Sequence, residues 1–537
     1  MNLSDIDVQK IKNMDDTQMK ELAERIKSFM LQNDNKESKL SSIAISLALI
    51  KEFDLDEDKL IFENDDLKSA YELIRKDTIS CGSISKALGM ASARDLKDKN
   101  HHVVSIINQN SFMNEGNIEA LYQLGQDKRK MIVIYNDTRG KDKGINIIDK
   151  IVMNITNAYT YNQIKDYIKD ILRPQKFGGE IIEYIRRFKA EIKKKMLDEG
   201  ILSDLGIEYI GPIEADDLQM IKRSLEVVKK KDYPCIVHCV HMKTENGIVD
   251  QQEIKIDKKL FLRNDDVMKS TVDDPNYIET PRLISETLSK LMNKDESISV
   301  IVSSIERSGM NYVFTKNRDK CFEFNTTNSE MLSFACGLAE SGMKPFVCLD
   351  SLSDCHAQID YINANKLPII IGLNKEKDDE IDLEYFEQFN CFCILEGKCC
   401  NEISNLLNSA FIYEMPVVFR YNNSTIRREN DDLSQINLGE EEIIANNDID
   451  TYIIAKGFDF MSLHRIVKEN EIRCNLINMR FINPIGQHAY DVLEDKNVYV
   501  YNSEFLYKKL KNVLKTKELY NVNGDIREMI SKIEEIC

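Results

Sequence analysis

The sequence predicts an α/β protein of several domains, each a mostly parallel sheet covered by helices. Short β-branched runs alternate with longer amphipathic stretches along the whole chain, the pattern of strands joined by crossover helices. At 537 residues the chain is too long for one hydrophobic core. Irregular, charged stretches break the alternation at 243–280 and at 424–448.

The strands are expected at VVSII (103–107), MIVIY (131–135), CIVHCV (235–240), ISVIVSS (298–304), LPIIIGL (367–373), VVFRY (417–421), TYIIAK (451–456) and VYVYN (498–502). These runs are short and apolar, as strands covered on both faces require. Helical patterns lie between them at 18–32, 216–230, 280–292 and 401–413. The breaks divide the chain into a first domain over 1–242, a linker over 243–280, a second domain over 281–430 and a smaller α/β domain over 431–537, whose regular pattern resumes near 449.

Apolar residues make up 42% and charged residues 30%, as in a soluble globular protein. No apolar run approaches the ~20 residues of a membrane span. The opening MNLSDIDVQKIKNMDD has neither a signal-peptide nor a transit-peptide pattern, so a cytoplasmic protein is expected. The net charge of −18 opposes binding to nucleic acid or anionic membranes. The basic runs Arg186-Arg187, Lys193-Lys194-Lys195 and Lys229-Lys230-Lys231 read as solvated helix faces. Thirteen scattered cysteines do not suggest a disulfide framework. Cys391, Cys393, Cys399 and Cys400 have a spacing that could ligate a soft metal, but Cys391–Ile394 reads as a strand, where alternate residues face opposite sides; buried thiols are the expectation. Glycine is scarce, 21 residues in all, so little of the chain suits close backbone contact with phosphate.

Several segments resemble, in order and spacing, the 1-deoxy-D-xylulose-5-phosphate synthase family. LGIEYIGPIEADD (205–217) is similar to that family's L-G-[FI]-x-Y-I-G-P-[VI]-D-G-H-D, and PCIVHCVHMKTENG to its P-x-[LF]-[LV]-H-[IV]-x-T-x-K-G-x-G. SGM (308–310), FACGLAESGMKPFVCL (334–349), KLPIIIGLN (366–374) and INMRFINPI (477–485) follow in the family's order. The resemblance implies a three-domain transketolase-like architecture: a diphosphate-binding domain, a pyrimidine-binding domain and a transketolase-type C-terminal domain. It also implies a homodimer with thiamin diphosphate and Mg²⁺ held between the first two domains of one chain.

The resemblance then locates each functional position. The family's G-D-G turn, whose Asp ligates Mg²⁺, falls at Asn108, Gln109 and Asn110, and its N-D-N turn falls at Asn136, Asp137 and Thr138. The two ligand positions, Gln109 and Thr138, are 29 residues apart, close to the family's spacing. Mg²⁺ favours hard, charged oxygen ligands; Gln109 offers a neutral carbonyl and Thr138 a hydroxyl. The family's catalytic Glu, which works against the aminopyrimidine ring, falls at Asn328, an amide that exchanges no proton at neutral pH. Glu330, two residues on, reads as a first-turn acid at a helix N-terminus.

The family's histidine-bearing segments correspond to 32–49 and 60–71, which contain none. Its Gly-rich, His-bearing loop after the strand LPIIIGLN is replaced here by KEKDDEIDLEYF, and its phosphate arginine falls near Asn423, with Arg420 surviving at a strand end. Of the seven histidines, His101, His102, His238, His241, His356, His464 and His488, only His238 matches a family strand histidine, and a packing role is expected for it. His238 and His241 with Cys235 and Cys239 do not read as a metal set, because 235 and 239 share a strand face that 238 does not. The reading is a synthase-like protein that has lost catalysis and serves as a binding, regulatory or scaffold subunit, with no cofactor and no metal expected. It would be a homodimer, or a hetero-oligomer with an active paralogue. The alternative is an active synthase condensing pyruvate with glyceraldehyde 3-phosphate on thiamin diphosphate and Mg²⁺.

Overall fold

A computed structural model describes residues 7–33, 37–75, 82–112, 115–138, 206–240, 274–324, 326–374, 383, 385–389, 391–429, 432–445 and 449–523. Residues 243–273 of the expected linker, the basic runs at 186–195, His241 and the acidic segment 375–382 lie outside them; the last part of the expected linker is instead regular, with a strand at Tyr277–Glu279 and a helix starting at Thr280. The chain divides into two compact units, Met1–Asp265 and Asp266–Cys537.

The first unit is built on one five-stranded parallel sheet. Its strands are β1 (Lys59–Phe62), β2 (Val103–Asn108), β3 (Ile132–Asp137), β4 (Glu208–Glu214) and β5 (Cys235–Val240), in the order β1-β2-β3-β5-β4. β2, β3 and β5 are buried along nearly their whole length, which explains their unbroken β-branched text. Helices α1 (Asp16–Asn33), α2 (Glu37–Glu52), α3 (Asp65–Arg75), α4 (Ile84–Leu96), α5 (Glu115–Asp127) and α6 (Leu218–Val228) surround it. Met19, Leu22, Ile26 and Met30 form the helical-spaced stripe by which α1 joins α2, α3 and α6 over one face of the sheet. Cys235, Val237 and Cys239 point into that core and His238 does not. The alternation expected of β5 is therefore what separates His238 from both thiols.

The second unit holds two large sheets. Its strands are β6 (Tyr277–Glu279), β7 (Ile298–Val302), β8 (Cys321–Glu323), β9 (Lys344–Leu349), β10 (Ile370–Asn374), β11 (Cys393–Glu396), β12 (Val417–Tyr421), β13 (Thr425–Arg427), β14 (Glu442–Ile444), β15 (Thr451–Ala455), β16 (Asn475–Asn478), β17 (Phe481–Asn483), β18 (Asn497–Tyr501) and β19 (Glu518–Val522). A seven-stranded sheet runs β17-β11-β12-β10-β9-β7-β8 and is parallel except for β17. A five-stranded sheet runs β14-β16-β15-β18-β19 and is parallel except for β14. A small antiparallel pair, β6 and β13, completes the unit. Among the described residues its helices of eight residues or more are α7 (Thr280–Met292), α8 (Asn328–Glu340), α9 (His356–Asn365), α10 (Cys400–Ile412), α11 (Gly457–Glu469) and α12 (Glu504–Val513).

All eight expected strands are present, within a few residues of their predicted limits. The cysteine-rich strand is the exception in detail: β11 starts at Cys393, so Cys391 precedes it. The SGM segment closes a short helical turn with Gly309 at φ +67°, where a Cβ would stand 2.7 Å from Cβ of Pro281; the turn therefore requires glycine.

Candidate functional site

In a parallel sheet the C-terminal strand ends are where ligands bind, and the first unit gathers its candidate residues there. Asn108 ends β2, Asn136 and Asp137 end β3, and Asn108 and Asn136 pair in register. Gln109 and Asn110 open a single helical turn, Gln109–Phe112. The turn is started by Asn108, whose Oδ1 accepts from Ser111 N at 3.2 Å.

The backbone N–H of Asn108 has a carboxyl partner. It donates to Glu63 Oε2 at 2.9 Å, from the residue just past β1. Burial pushes the Glu63 carboxyl up to about 7, an effect this hydrogen bond only partly offsets. Glu63 was not among the residues singled out from the sequence. The contact spans 45 residues, and the one local clue was an acid directly after the apolar text KLIF.

Asn136 is fully buried, and its Nδ2 donates to Ser41 Oγ at 2.8 Å on α2. Asp137 is also fully buried, and its Oδ2 lies 3.5 Å from His238 Nε2. His238 Nδ1 is 2.7 Å from Tyr209 Oη. With the phenol donating to Nδ1, the Nε2–H faces Asp137. Tyr135 stacks on the His238 ring at 4.7 Å, and Phe112 stacks on Tyr135 at 4.2 Å. The imidazole is thus hydrogen-bonded at Nδ1 and stacked on one face, with Nε2 beside the Asp137 carboxyl. Thr138 follows, also buried. The residues at these strand ends are engaged with one another and bring no Lys or Arg side chain into any of the contacts just described. Among the described residues, no group of three or more His, Cys, Asp or Glu side chains could hold a metal ion.

In the second unit Asn328 is the first residue of α8 and its Nδ2 donates to Ser351 O at 2.9 Å, in the loop after β9. Thr327 caps the helix by accepting from Glu330 N, and Glu330 sits in the first turn as expected. Asp354 Oδ2 lies 3.4 Å from Ser329 N, a second acid at this helix end that sequence reading missed. Asn423 accepts at Oδ1 from Asn374 Nδ2 at 3.1 Å. Arg420 is buried and paired with Glu396 at 3.2 Å. The four cysteines do not converge: Cys391 donates to Asn363 Oδ1 at 2.7 Å, Cys393 and Cys400 are buried, and burial pushes the Cys399 thiol up to about 11. Among the described residues no helix is long and apolar enough to cross a membrane.

The arrangement of sheets and crossover helices is a transketolase-like α/β architecture. The transketolase from Campylobacter jejuni matches with a TM-score of 0.62 at 12% identity, covering 97% of this chain and 98% of that one. A transketolase from Pichia stipitis in complex with sedoheptulose 7-phosphate matches with a TM-score of 0.63 at 11% identity, covering 98% and 95%. Likeness at that identity carries the fold. The family model of the N-terminal part of 1-deoxy-D-xylulose-5-phosphate synthase matches residues 64–241. The synthase of Clostridium tetani is 23% identical over 91% of this chain and 87% of its own length. That of Clostridium perfringens strain ATCC 13124 is 24% identical over 94% and 89%. The chain is thus similar to 1-deoxy-D-xylulose-5-phosphate synthases over about nine-tenths of its length, and its fold is transketolase-like.

Proposed function

We propose that this chain is a catalytically degenerate synthase-like protein acting as a binding, regulatory or scaffold subunit, with its three domains at 1–242, 281–430 and 431–537. The carrying observation is the Asn108 N–H held by Glu63 Oε2 at 2.9 Å. The resemblance puts the diphosphate-binding turn of a thiamin diphosphate enzyme at Asn108, Gln109 and Asn110. A diphosphate there needs free backbone donors and a metal on hard anionic ligands. The donor at Asn108 is instead spent on a carboxyl that repels a diphosphate when ionised. The residues present do not fit the cofactor, and no metal ligand set is expected at Gln109 and Thr138. At the position of the family's catalytic acid, Asn328 is an amide turned onto a backbone carbonyl.

Calorimetric titration of the full chain with thiamin diphosphate and Mg²⁺ tests this reading. No saturable heat is expected, and micromolar saturable binding overturns it. A second reading, an active synthase, is favoured by the similarity to named synthases over about nine-tenths of the chain. Pyruvate-dependent CO₂ release that disappears in Asn328→Ala supports that reading instead. The expected partner is a second copy of this chain or an active paralogue, and co-purification from the native cell distinguishes the two.

A further inference from the structure

Within the second unit a carboxylate of the seven-stranded sheet is buried against the five-stranded sheet. Glu396, the last residue of β11, places Oε2 3.2 Å from Arg420 Nη1 on the neighbouring β12 and 4.0 Å from Lys456 Nζ at the end of β15. The Arg420 and Lys456 side chains are 1% and 0% exposed, that of Glu396 12%. Lys456 is the N-cap of α11, and Gly457 follows with φ +53°. A Cβ at Gly457 would stand 2.4 Å from Glu396 Oε1, so the glycine leaves the room that the carboxylate occupies. Buried charges are tolerated where they are held together, and here the partners come from two different sheets.

The surrounding contacts tie the same two layers. β17 adds antiparallel to β11, with Glu396 N donating to Arg480 O at 3.1 Å. Phe481 of β17 packs in the core of the seven-stranded sheet. Glu402 on α10 is buried and accepts from Asn478 Nδ2 at 2.8 Å and Arg480 Nη1 at 3.4 Å. Lys398 pairs with Glu442 of β14.

We propose that Glu396 is an electrostatic lock that fuses the two large sheets of the second unit into one cooperative body, so that the five-stranded sheet cannot open or unfold on its own. The lock is independent of whether the chain is a catalyst. Its strength lies in position: one carboxylate hydrogen-bonds the buried cation of one layer and lies within ion-pair distance of that of the other. Replacing it leaves Arg420 and Lys456 without that carboxylate and favours separation of the layers.

Hydrogen exchange of the full chain across a urea series, read on peptides of β9, β10 and β12 and of β15, β16 and β18, tests the lock. In the parent chain both sets are expected to lose protection at the same urea concentration. In Glu396→Ala the five-stranded sheet is expected to lose protection first, its midpoint falling roughly 1 M or more below that of the other sheet. Glu396→Gln keeps the shape without the charge and is expected to move in the same direction, which covers failure of the alanine variant to fold. Sodium formate, a small carboxylate, is expected to narrow the gap in Glu396→Ala more than equal sodium chloride. Separate midpoints in the parent chain, or coincident midpoints in both variants, overturn the lock.

Discussion

Glu63 is one of two described carboxyls that burial displaces furthest, the other being Glu119. Burial raises the Glu63 carboxyl to about 7 from a usual value near 4.5. A carboxyl raised on folding binds its proton more tightly in the folded state, so it lowers stability where it must ionise, above pH 7, and that cost fades as pH falls toward the unfolded value. Glu63→Gln keeps an acceptor for the Asn108 N–H and removes the charge. It is expected to stabilise the protein by about 1–2 kcal/mol at pH 8 and to make no difference near pH 4; equal urea midpoints at pH 8 would show that the carboxyl is not penalised. Asn328→Asp replaces a donor by an acceptor facing Ser351 O and is expected to cost about 1–3 kcal/mol, read as a lowered melting temperature at pH 7. The placing of Asn108 and Asn136 at strand ends and of Asn328 at a helix start was legible in the text, because each lies inside a motif with recognisable spacing. Glu63, Ser41 and Asp354 were not. Each reaches its partner across a stretch of sequence that carries no periodicity linking the two.

Among the elements, legibility followed burial and length. β2, β3, β5, β7, β10, β12, β15 and β18 are five or six residues of largely apolar text, and burial on both faces keeps that text apolar. β8, β14 and β17 have three residues each, too few for a period to show. β17 was read as part of a family motif, yet its place at the edge of the seven-stranded sheet is set by pairing with β11 and by Phe481, which no local pattern encodes. Gly372 in β10 shows packing between strands at its tightest: a Cβ there would stand 2.4 Å from the Phe346 ring of β9. Gly372→Ala forces that buried ring off its position and is expected to cost about 1–3 kcal/mol, measured by chemical denaturation; a neutral result would mean that the ring has somewhere else to go. Asp217 caps α6 by accepting from Met220 N at 3.0 Å, and Asp217→Ala is expected to cost about 1 kcal/mol, with circular dichroism following the same denaturation.

The whole chain carries 90 acidic and 72 basic residues, and this excess acts differently on the surface and inside. Exposed like charges repel across distances that salt screens, with a Debye length of ~30 Å at 0.01 M and ~8 Å at 0.15 M. Charges as buried as Arg420 and Lys456 are screened far less. Compactness brings the surplus acids closer together than the unfolded chain does, so self-repulsion weighs on the folded state. Raising sodium chloride from about 10 mM to about 150 mM is therefore expected to raise the melting temperature by a few degrees, since the screened repulsion exceeds the loss of exposed ion pairs such as Lys496–Asp450, each contributing only about 0.2–1 kcal/mol. The same change should leave the two sheets of the second unit losing protection together, because the carboxylate proposed to couple them is largely buried. A melting temperature that is flat or falls with salt would mean that exposed ion pairs, not the net charge, govern the electrostatics of this fold.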